Sequence, residues 1–190
     1  MVTQFPTEPA QRLSRVMFSR AKDDWSTPQD FFDRLDAEFQ FTCDVAATAD
    51  TAKCADYYGP DHPDLFRRDA LAAPWDGVCF MNPPYSRVRD FIDKAAVEAR
   101  HGVVVVALVP ARTCTRWWHA AVWDHHRHCP RPHVALRFVK GRLRFGGASA
   151  SAPFPSVVIV FGAATQAREQ GRLMVEGERS ANGAVSLCLV

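Results

Sequence analysis

Four consecutive residues, Asn82-Pro83-Pro84-Tyr85, have the most specific chemistry in this 190-residue sequence. Two prolines in succession fix the backbone, so the Pro83 carbonyl and the Asn82 side-chain amide are neighbouring hydrogen-bond acceptors. The ring of Tyr85 follows at once and offers a face for stacking. This set suits a planar group with an exocyclic amine, because the two acceptors take its N–H bonds while the tyrosine covers the ring.

Two acidic residues are further candidates for a binding site. Asp44 comes near the end of the strand-like stretch 39–47, and Asp69 lies in the loop-rich stretch 48–74. In open α/β sheets, ligands bind at the carboxyl ends of the strands, so we expect Asp44 and Asn82 at one edge of the sheet. The ordinary alternative for each acid is the cap of a turn or of a helix.

Positive charge is concentrated between residues 112 and 144, although the whole chain has a net charge of only +2. One acid, Asp124, offsets the basic residues of this segment, which are Arg112, Arg116, Arg127, Arg131, Arg137, Lys140, Arg142 and Arg144. Such a local excess is suited to contact with phosphates. The alternative is a solvated face that has no binding role.

The same segment contains a histidine cluster that could form a zinc site. Its members are His119, His125, His126, His128, Cys129 and His133. The sequence has no Cys-x-x-Cys pair to support a metal centre, so a solvated loop is the favoured interpretation and no metal is expected.

The elements that must position these residues alternate between helix and strand. Thr27 is a suitable N-cap and Pro28 a suitable first residue for a helix over 28–39. The β-branched run 103–109 is typical of a parallel strand buried on both faces. Further helices are predicted at 88–99 and 113–123, and further strands at 39–47, 77–81, 134–139, 143–145 and 156–161. We therefore expect an α/β fold whose mostly parallel sheet has an antiparallel edge and helices on both faces.

Length and composition indicate one domain inside the cell. We expect a tail at 1–24, one domain at 25–165, and an extension at 166–190 in which Asn182-Gly183 would suit a hairpin. The longest apolar run is too short for a membrane helix, and the first residues do not form a signal peptide. Six scattered cysteines indicate reduced thiols, so we expect a soluble, cytoplasmic protein.

Asn-Pro-Pro-Tyr after an apolar strand resembles the catalytic motif of S-adenosylmethionine-dependent amino-methyltransferases. The wider pattern, over about residues 24–162, resembles the phage-type DNA N6-adenine methyltransferases. The residues that carry this resemblance are Trp25-Ser26-Thr27-Pro28, Asp44-Val45-Ala46-Ala47, Ala52-Lys53-Cys54, Asp69-Ala70-Leu71 with Trp75, Asn82-Pro83-Pro84-Tyr85-Ser86, Trp117-Trp118-His119, Gly141-Arg142-Leu143-Arg144-Phe145 and Phe154-Pro155-Ser156.

The resemblance implies a Rossmann-like class I methyltransferase fold, S-adenosylmethionine as cofactor, double-stranded DNA as substrate with the target base flipped out, and a phage or prophage origin. A phage-encoded protein would act in the host cytoplasm. The residues Asn82, Pro83, Pro84 and Tyr85 would be catalytic. The implied cofactor contacts are Asp44 with Ala46 near the methionine or ribose part, Asp69 with Ala70 near the adenine amine, and Trp25, Thr27 and Pro28 in a closing segment. One departure is the absence of glycine from residues 44–48.

The predicted DNA contacts are Arg112, Arg142 and Arg144. Arg142 and Arg144 are two apart on a predicted strand, so their side chains share a face. Only 37 residues separate Asp44 from Asn82, too few for an inserted recognition domain. Base reading is therefore expected from residues 112–152 or the C-terminal tail. Methyl transfer to RNA or to a protein glutamine amide, and an inactive nucleic-acid-binding module, are the alternatives. The sequence leaves the oligomeric state open.

Overall fold

A computed structural model describes residues 26–146 and 151–162 of the chain. The predictions for Trp25, for the tail at 1–24 and for the C-terminal hairpin concern residues outside these ranges. The described strands are β1 (Cys43–Asp44), β2 (Val78–Met81), β3 (Val104–Pro110), β4 (Trp123–Asp124), β5 (Cys129–Pro130), β6 (Val134–Phe138) and β7 (Ser156–Phe161).

The described residues form a five-stranded sheet in the order β1-β2-β3-β7-β6, and β4 pairs with β5 separately. Strands β1, β2 and β3 are parallel, whereas β7 runs antiparallel to both of its neighbours. Four of the five strands therefore point in one direction, and the carboxyl ends of β1 and β2 meet at one edge. The predicted mixed α/β architecture with a mostly parallel sheet is confirmed, but the antiparallel strand β7 lies inside the sheet, between β3 and β6, and not at its edge.

Helices cover both faces of this sheet. Helix α1 (Gln29–Phe39) buries Phe32 and Phe39 in a cluster that includes Phe80 and Val106 from the sheet. Helix α2 (Val88–Arg100) buries its apolar side chains in a second cluster with alternate residues of the same strands. Because successive side chains of a strand point to opposite faces, the two clusters lie on the two sides of the sheet.

Strand β3 confirms the prediction from its β-branched run. All seven of its residues are buried, and it lies between β2 and β7. A strand with a layer of side chains on each face has no polar side, which is why the sequence shows no alternation there.

Two predicted boundaries near α1 are wrong. Pro28, not Thr27, is the N-cap residue, and it provides no side-chain cap because proline has no polar side-chain atom. The strand predicted at 39–47 is limited to Cys43–Asp44, because Phe39 still belongs to α1. Gln40 then ends the helix in the left-handed conformation (φ 54°), and the Phe41 N–H donates to Asp36 Oδ1 at 2.8 Å.

Two predicted elements in the second half of the chain are also wrong. The helix predicted at 113–123 is reduced to a short helical segment that ends in a π-helical turn, Trp118–Val122, because Trp123 already belongs to β4. The strand predicted at 143–145 does not form, since residues 142–145 pair with no strand of the described chain. Arg142 and Arg144 therefore lie on a connecting segment.

All five cysteines of the described residues are free thiols, and Cys43 and Cys79 are buried. Within residues 26–146 and 151–162, no helix has the length and apolar character needed to cross a membrane. In the same ranges no group of three or more histidine, cysteine or acidic side chains is arranged to hold a metal ion.

Candidate active site

A cleft opens at the carboxyl ends of β1 and β2, where the sequence predicts a ligand site. Its cavity volume is about 50 Å³, and it opens to solvent at its mouth. Its lining residues are Ser26, Thr27, Asp44, Ala46, Thr51, Lys53, Phe80, Asn82, Pro83 and Pro84. The fold thus brings together the N-terminal segment, the end of β1 and the Asn-Pro-Pro motif, as predicted.

The side-chain amide of Asn82 is fixed by Thr27. Asn82 follows the last residue of β2, and its Nδ2 donates to Thr27 Oγ1 at 2.9 Å. Thr27 is only 3% exposed, so this contact is shielded from competing water. Because Nδ2 and Oδ1 lie on opposite sides of a planar amide, the bond directs Oδ1 away from Thr27. Thr27 therefore positions the predicted acceptor of Asn82.

The two prolines hold the motif between β2 and α2. Pro83 is buried, and Pro84 has an extended conformation with φ −51° and ψ 128°. The Pro84 carbonyl accepts from the Arg87 N–H at 2.8 Å, which forms a 3-10 turn, Tyr85–Arg87, directly before α2. The backbone at the cleft is thus braced by a strand on one side and by a helix on the other.

Tyr85 belongs to an aromatic cluster with Phe145 and Phe154. Its ring centroid lies 5.1 Å from that of Phe154 and 6.4 Å from that of Phe145, both in edge-to-face geometry. Burial raises the pKa of the Tyr85 hydroxyl above its ordinary value, while the positive charge of Arg112 acts in the opposite direction. The hydroxyl is therefore neutral at physiological pH, and Arg112 lies close enough to influence it.

Asp44 places a buried carboxylate in the wall of the cleft. It is 3% exposed, and its two oxygens accept from the Ala46 N–H at 3.2 Å and the Lys53 N–H at 3.1 Å. Burial raises the pKa of Asp44 to about 6, although these two hydrogen bonds and the Lys53 charge lower it. The group is charged at pH 7 and can accept from an ammonium or hydroxyl group of a ligand.

Thr51 and Lys53 line the cleft but were not predicted as site residues. A tight turn returns the chain to the cleft after β1, because the Ala52 N–H donates to the Thr48 carbonyl at 2.8 Å. Lys53 Nζ donates to Gln29 Oε1 of α1 at 3.0 Å. The available signal was the Thr-x-x-Thr spacing after the strand end, since a threonine side chain often closes such a turn.

Gly59 lies directly against the segment after β1, which itself contains no glycine. The Tyr58 carbonyl accepts from the Ala47 N–H at 3.1 Å, so the next residue passes directly against Ala47. A Cβ on Gly59 would lie 1.8 Å from the Ala47 carbonyl oxygen, so only glycine fits there. The close backbone approach at this end of β1 therefore depends on Gly59.

Asp69 and Ala70 are not among the residues that line the cleft. Asp69 is exposed, and its Oδ1 accepts from the Leu71 N–H at 3.1 Å while its carbonyl accepts from Ala72 and Ala73. Ala70 is buried, and its carbonyl accepts from Trp75 Nε1 at 2.8 Å. Asp69 thus caps a turn, which is the ordinary alternative. A cofactor contact from this pair stays a prediction.

Arg142 and Arg144 lie on a connecting segment that is anchored beside Tyr85. The Leu143 carbonyl accepts from the Ala152 N–H at 2.8 Å, and Phe145 is buried against the Tyr85 ring. Arg142 and Arg144 are exposed between these inward side chains. The predicted alternation is therefore present, although the segment belongs to no sheet.

Two members of the basic group have structural partners. The Arg137 guanidinium donates to both carboxylate oxygens of Glu38 at 2.5 Å, and Arg131 donates to the His119 carbonyl at 2.8 Å. Arg112 is exposed in the loop that follows β3, two residues after the strand end. Arg137 is itself exposed, and the other exposed basic residues of the segment 112–144 are Arg112, Arg116, Arg127, Lys140, Arg142 and Arg144.

A family model described as "DNA N-6-adenine-methyltransferase (Dam)" matches residues 15–175. The match includes the whole cleft and the segments that support it. No solved structure matches the chain significantly.

Two phage proteins are among the similar sequences. The chain is 30% identical over 101 residues to a DNA N-6-adenine-methyltransferase of Escherichia phage T1, an alignment that covers 51% of this chain and 40% of that protein. It is also 30% identical over 105 residues to a DNA N-6-adenine-methyltransferase of Haemophilus phage HP1 (strain HP1c1), covering 53% and 57%. The chain thus spans about half the length of these curated relatives.

Proposed function

Because this chain belongs to the DNA N-6-adenine-methyltransferase (Dam) family, we propose that it transfers a methyl group from S-adenosylmethionine to the N6 amine of adenine in DNA. The observation that carries the proposal is a single cleft lined by Asp44 and by Asn82-Pro83-Pro84, with Tyr85 next in sequence. The two phage relatives support the same activity by their names and agree with a phage or prophage origin.

The residues of the cleft fit S-adenosylmethionine. The buried Asp44 carboxylate suits an ammonium or ribose hydroxyl group, and the ammonium of Lys53 suits a carboxylate. Thr27 and Ala46 line the same cleft, whereas Pro28 is not among its lining residues and a cofactor contact from Pro28 stays a prediction. When bound, this cofactor supplies a methyl group on a sulfonium that needs no further activation, so the protein must supply alignment and electrostatics.

Asn82 and Pro83 act on the adenine amine in this proposal. The lone pair of that amine is delocalised into the ring, which makes the nitrogen a poor nucleophile. Asn82 Oδ1 and the Pro83 carbonyl would accept hydrogen bonds from its two N–H groups. These hydrogen bonds would draw electron density onto the nitrogen. The nitrogen then favours the tetrahedral geometry of attack, in which its bond to the methyl carbon would form as the carbon–sulfur bond of the sulfonium breaks. The methylated nitrogen would then be cationic and acidic and would lose one proton to water, so no strong general base is needed.

Tyr85 and the arginines act on the remainder of the substrate. The adenine amine lies inside the stack of a duplex, so the base must be flipped out at a cost of a few kcal/mol. Stacking on Tyr85 and phosphate contacts from Arg112, Arg142 and Arg144 would offset that cost. The edge-to-face contacts from Phe154 and Phe145 fix the plane of the Tyr85 ring and so prepare it for stacking.

The experiment that tests the substrate class uses labelled S-adenosylmethionine. The protein is offered duplex DNA, structured RNA and a glutamine-containing protein in parallel, and label in each is counted. We expect label in DNA. Label found only in RNA or only in protein would mean that the substrate is RNA or protein and not DNA. A protein that binds DNA without binding the cofactor would be an inactive binding module.

A further inference from the structure

We propose that Phe66, with Leu65 beside it, is an apolar wedge that enters the DNA base stack and helps to open the duplex. This inference rests on the proposed function and assigns a DNA contact to a turn between Asp44 and Asn82. Among the described residues, four large apolar side chains are exposed, and two of them are these neighbours. Phe66 is 87% exposed and Leu65 is 70% exposed, so neither contributes to the core.

The turn that carries the two side chains, Leu65–Arg67, is braced on both sides. Asp64 Oδ1 accepts from the Phe66 N–H at 2.9 Å, and the Gly59 N–H donates to the Arg67 carbonyl at 3.0 Å. The Arg67 guanidinium forms an ion pair with Asp56 and lies over the Tyr58 ring, 5.1 Å from its centroid. The turn is therefore held in place while its two apolar side chains are exposed to solvent, an arrangement that suits their insertion into a partner.

The braced turn lies at the same edge of the sheet as the cleft. Tyr57 forms a parallel bridge with Asp44, so the chain leaves it in the direction of β1 and passes the strand end. The next residues are attached to the segment after β1, because the Ala49 N–H donates to Asp61 Oδ2 at 2.9 Å. Ala46 and Thr51, which flank that segment, line the cleft.

The dimensions of this edge fit a duplex. Neighbouring strands are about 4.8 Å apart, so the edge from β1 to β6 is about 19 Å long. That length corresponds to roughly six base pairs at 3.4 Å each. A duplex across the edge would reach the exposed arginines on one side of the cleft and Phe66 on the other.

The chemistry of the turn favours DNA over a protein partner. Apolar side chains that insert between base steps unstack them, and such wedges are commonly phenylalanine or leucine. Arg68 is exposed next to the wedge, and its Nε donates to the His62 carbonyl at 2.7 Å, which fixes a positive charge beside the two apolar side chains. A wedge beside a cation matches a base step beside its phosphate.

The test compares duplex DNA with the heat-denatured form of the same genomic DNA. We expect Phe66→Ala to lower kcat/KM for methylation of the duplex about tenfold, because the cost of unstacking is no longer offset. On denatured DNA, which needs no opening, the variant should match the wild type within about twofold. Affinity for S-adenosylmethionine, measured by titration, should not change.

Val97→Ala is the matched control, because Val97 is an exposed apolar residue on α2 and lies outside the proposed contact. A Phe66→Ala variant as active as wild type on duplex, or one equally impaired on both forms of DNA, would overturn the wedge while leaving the proposed function intact. A wild-type protein that methylates neither form would refute the proposed function and the wedge together.

Discussion

Asn82 depends for its orientation on Thr27, which is 55 positions earlier in the chain. Both residues are candidates from the sequence, in which Thr27 is predicted as the cap of α1 and, through the family resemblance, as part of a segment that closes on the cofactor. Helix capping can be inferred from neighbouring residues, whereas a hydrogen bond between distant segments depends on the folded chain. The structure thus makes Thr27 a positioning residue for the proposed chemistry.

Thr27→Val should lower the rate of methyl transfer about tenfold, because the Asn82 amide loses the acceptor that orients it. Single-turnover kinetics with DNA at saturating S-adenosylmethionine would measure this rate independently of any change in cofactor affinity. Thr27→Ser retains the hydroxyl group and is the matched control. Equal rates for the valine and serine variants would refute the positioning role.

Burial of Asp44 is expected to make the stability of the protein depend on pH. Its pKa of about 6 in the folded, ligand-free protein lies above the ordinary 3.8 of the unfolded chain. Between pH 4 and pH 6 the folded state therefore holds a proton that the unfolded state has lost, so stability falls as pH rises. The shift of about two units corresponds to about 3 kcal/mol.

Unfolding by denaturant at pH 4 and pH 7 would measure this effect. We expect the wild-type free energy of unfolding to fall by up to about 3 kcal/mol more than that of Asp44→Asn over this range. Cofactor affinity of the wild type should weaken below pH 6, where the carboxylate is protonated. Parallel pH profiles of stability for the two proteins would contradict the role of burial at Asp44.

Local sequence patterns correctly predicted the helices and strands that depend mainly on neighbouring residues. The β-branched run predicted β3, and the four-residue spacing of apolar side chains predicted α1. The segment 142–146 shows where this reasoning fails. Its alternating side chains resemble a strand, but Phe145 packs on Tyr85 and the Gly146 N–H donates to the Ser26 carbonyl at 2.8 Å, so the segment is held by loops.

This segment predicts the salt dependence of DNA binding. Arg142→Ala and Arg144→Ala should each weaken DNA affinity and reduce the slope of log affinity against log salt by about 0.9, the value for one phosphate contact. Fluorescence anisotropy at several salt concentrations would measure the slope. Arg100→Ala, at the opposite end of α2 from the motif, is the control. Slopes equal to wild type would make both arginines surface charges without a binding role.

At the scale of the whole molecule, the sheet explains why the candidate site could be predicted before its contacts were known. Parallel strands place their carboxyl ends at one edge, so Asp44 and Asn82 were expected together and lie together in one cleft. The aromatic cluster of Tyr85, Phe145 and Phe154 could not be foreseen in the same way. Its members come from separate parts of the chain, and their proximity follows from tertiary packing.

The exposure of the turn Leu65–Arg67 likewise depends on how the whole chain folds. A stretch too short for a separate recognition domain still presents Phe66 at the edge that holds the cleft. Phe66 has no periodic pattern around it, so the sequence does not distinguish an exposed aromatic side chain from a core one. Its exposure of 87% is a property of the folded chain.

Transfer of labelled methyl from S-adenosylmethionine to duplex DNA, followed by digestion to nucleosides and identification of the product, tests the central claim most directly. We predict N6-methyladenine from the wild type and none above background from Asn82→Ala, with cofactor affinity little changed in the variant. A wild-type product other than N6-methyladenine, or an Asn82→Ala variant that methylates DNA at the wild-type rate, would contradict the account.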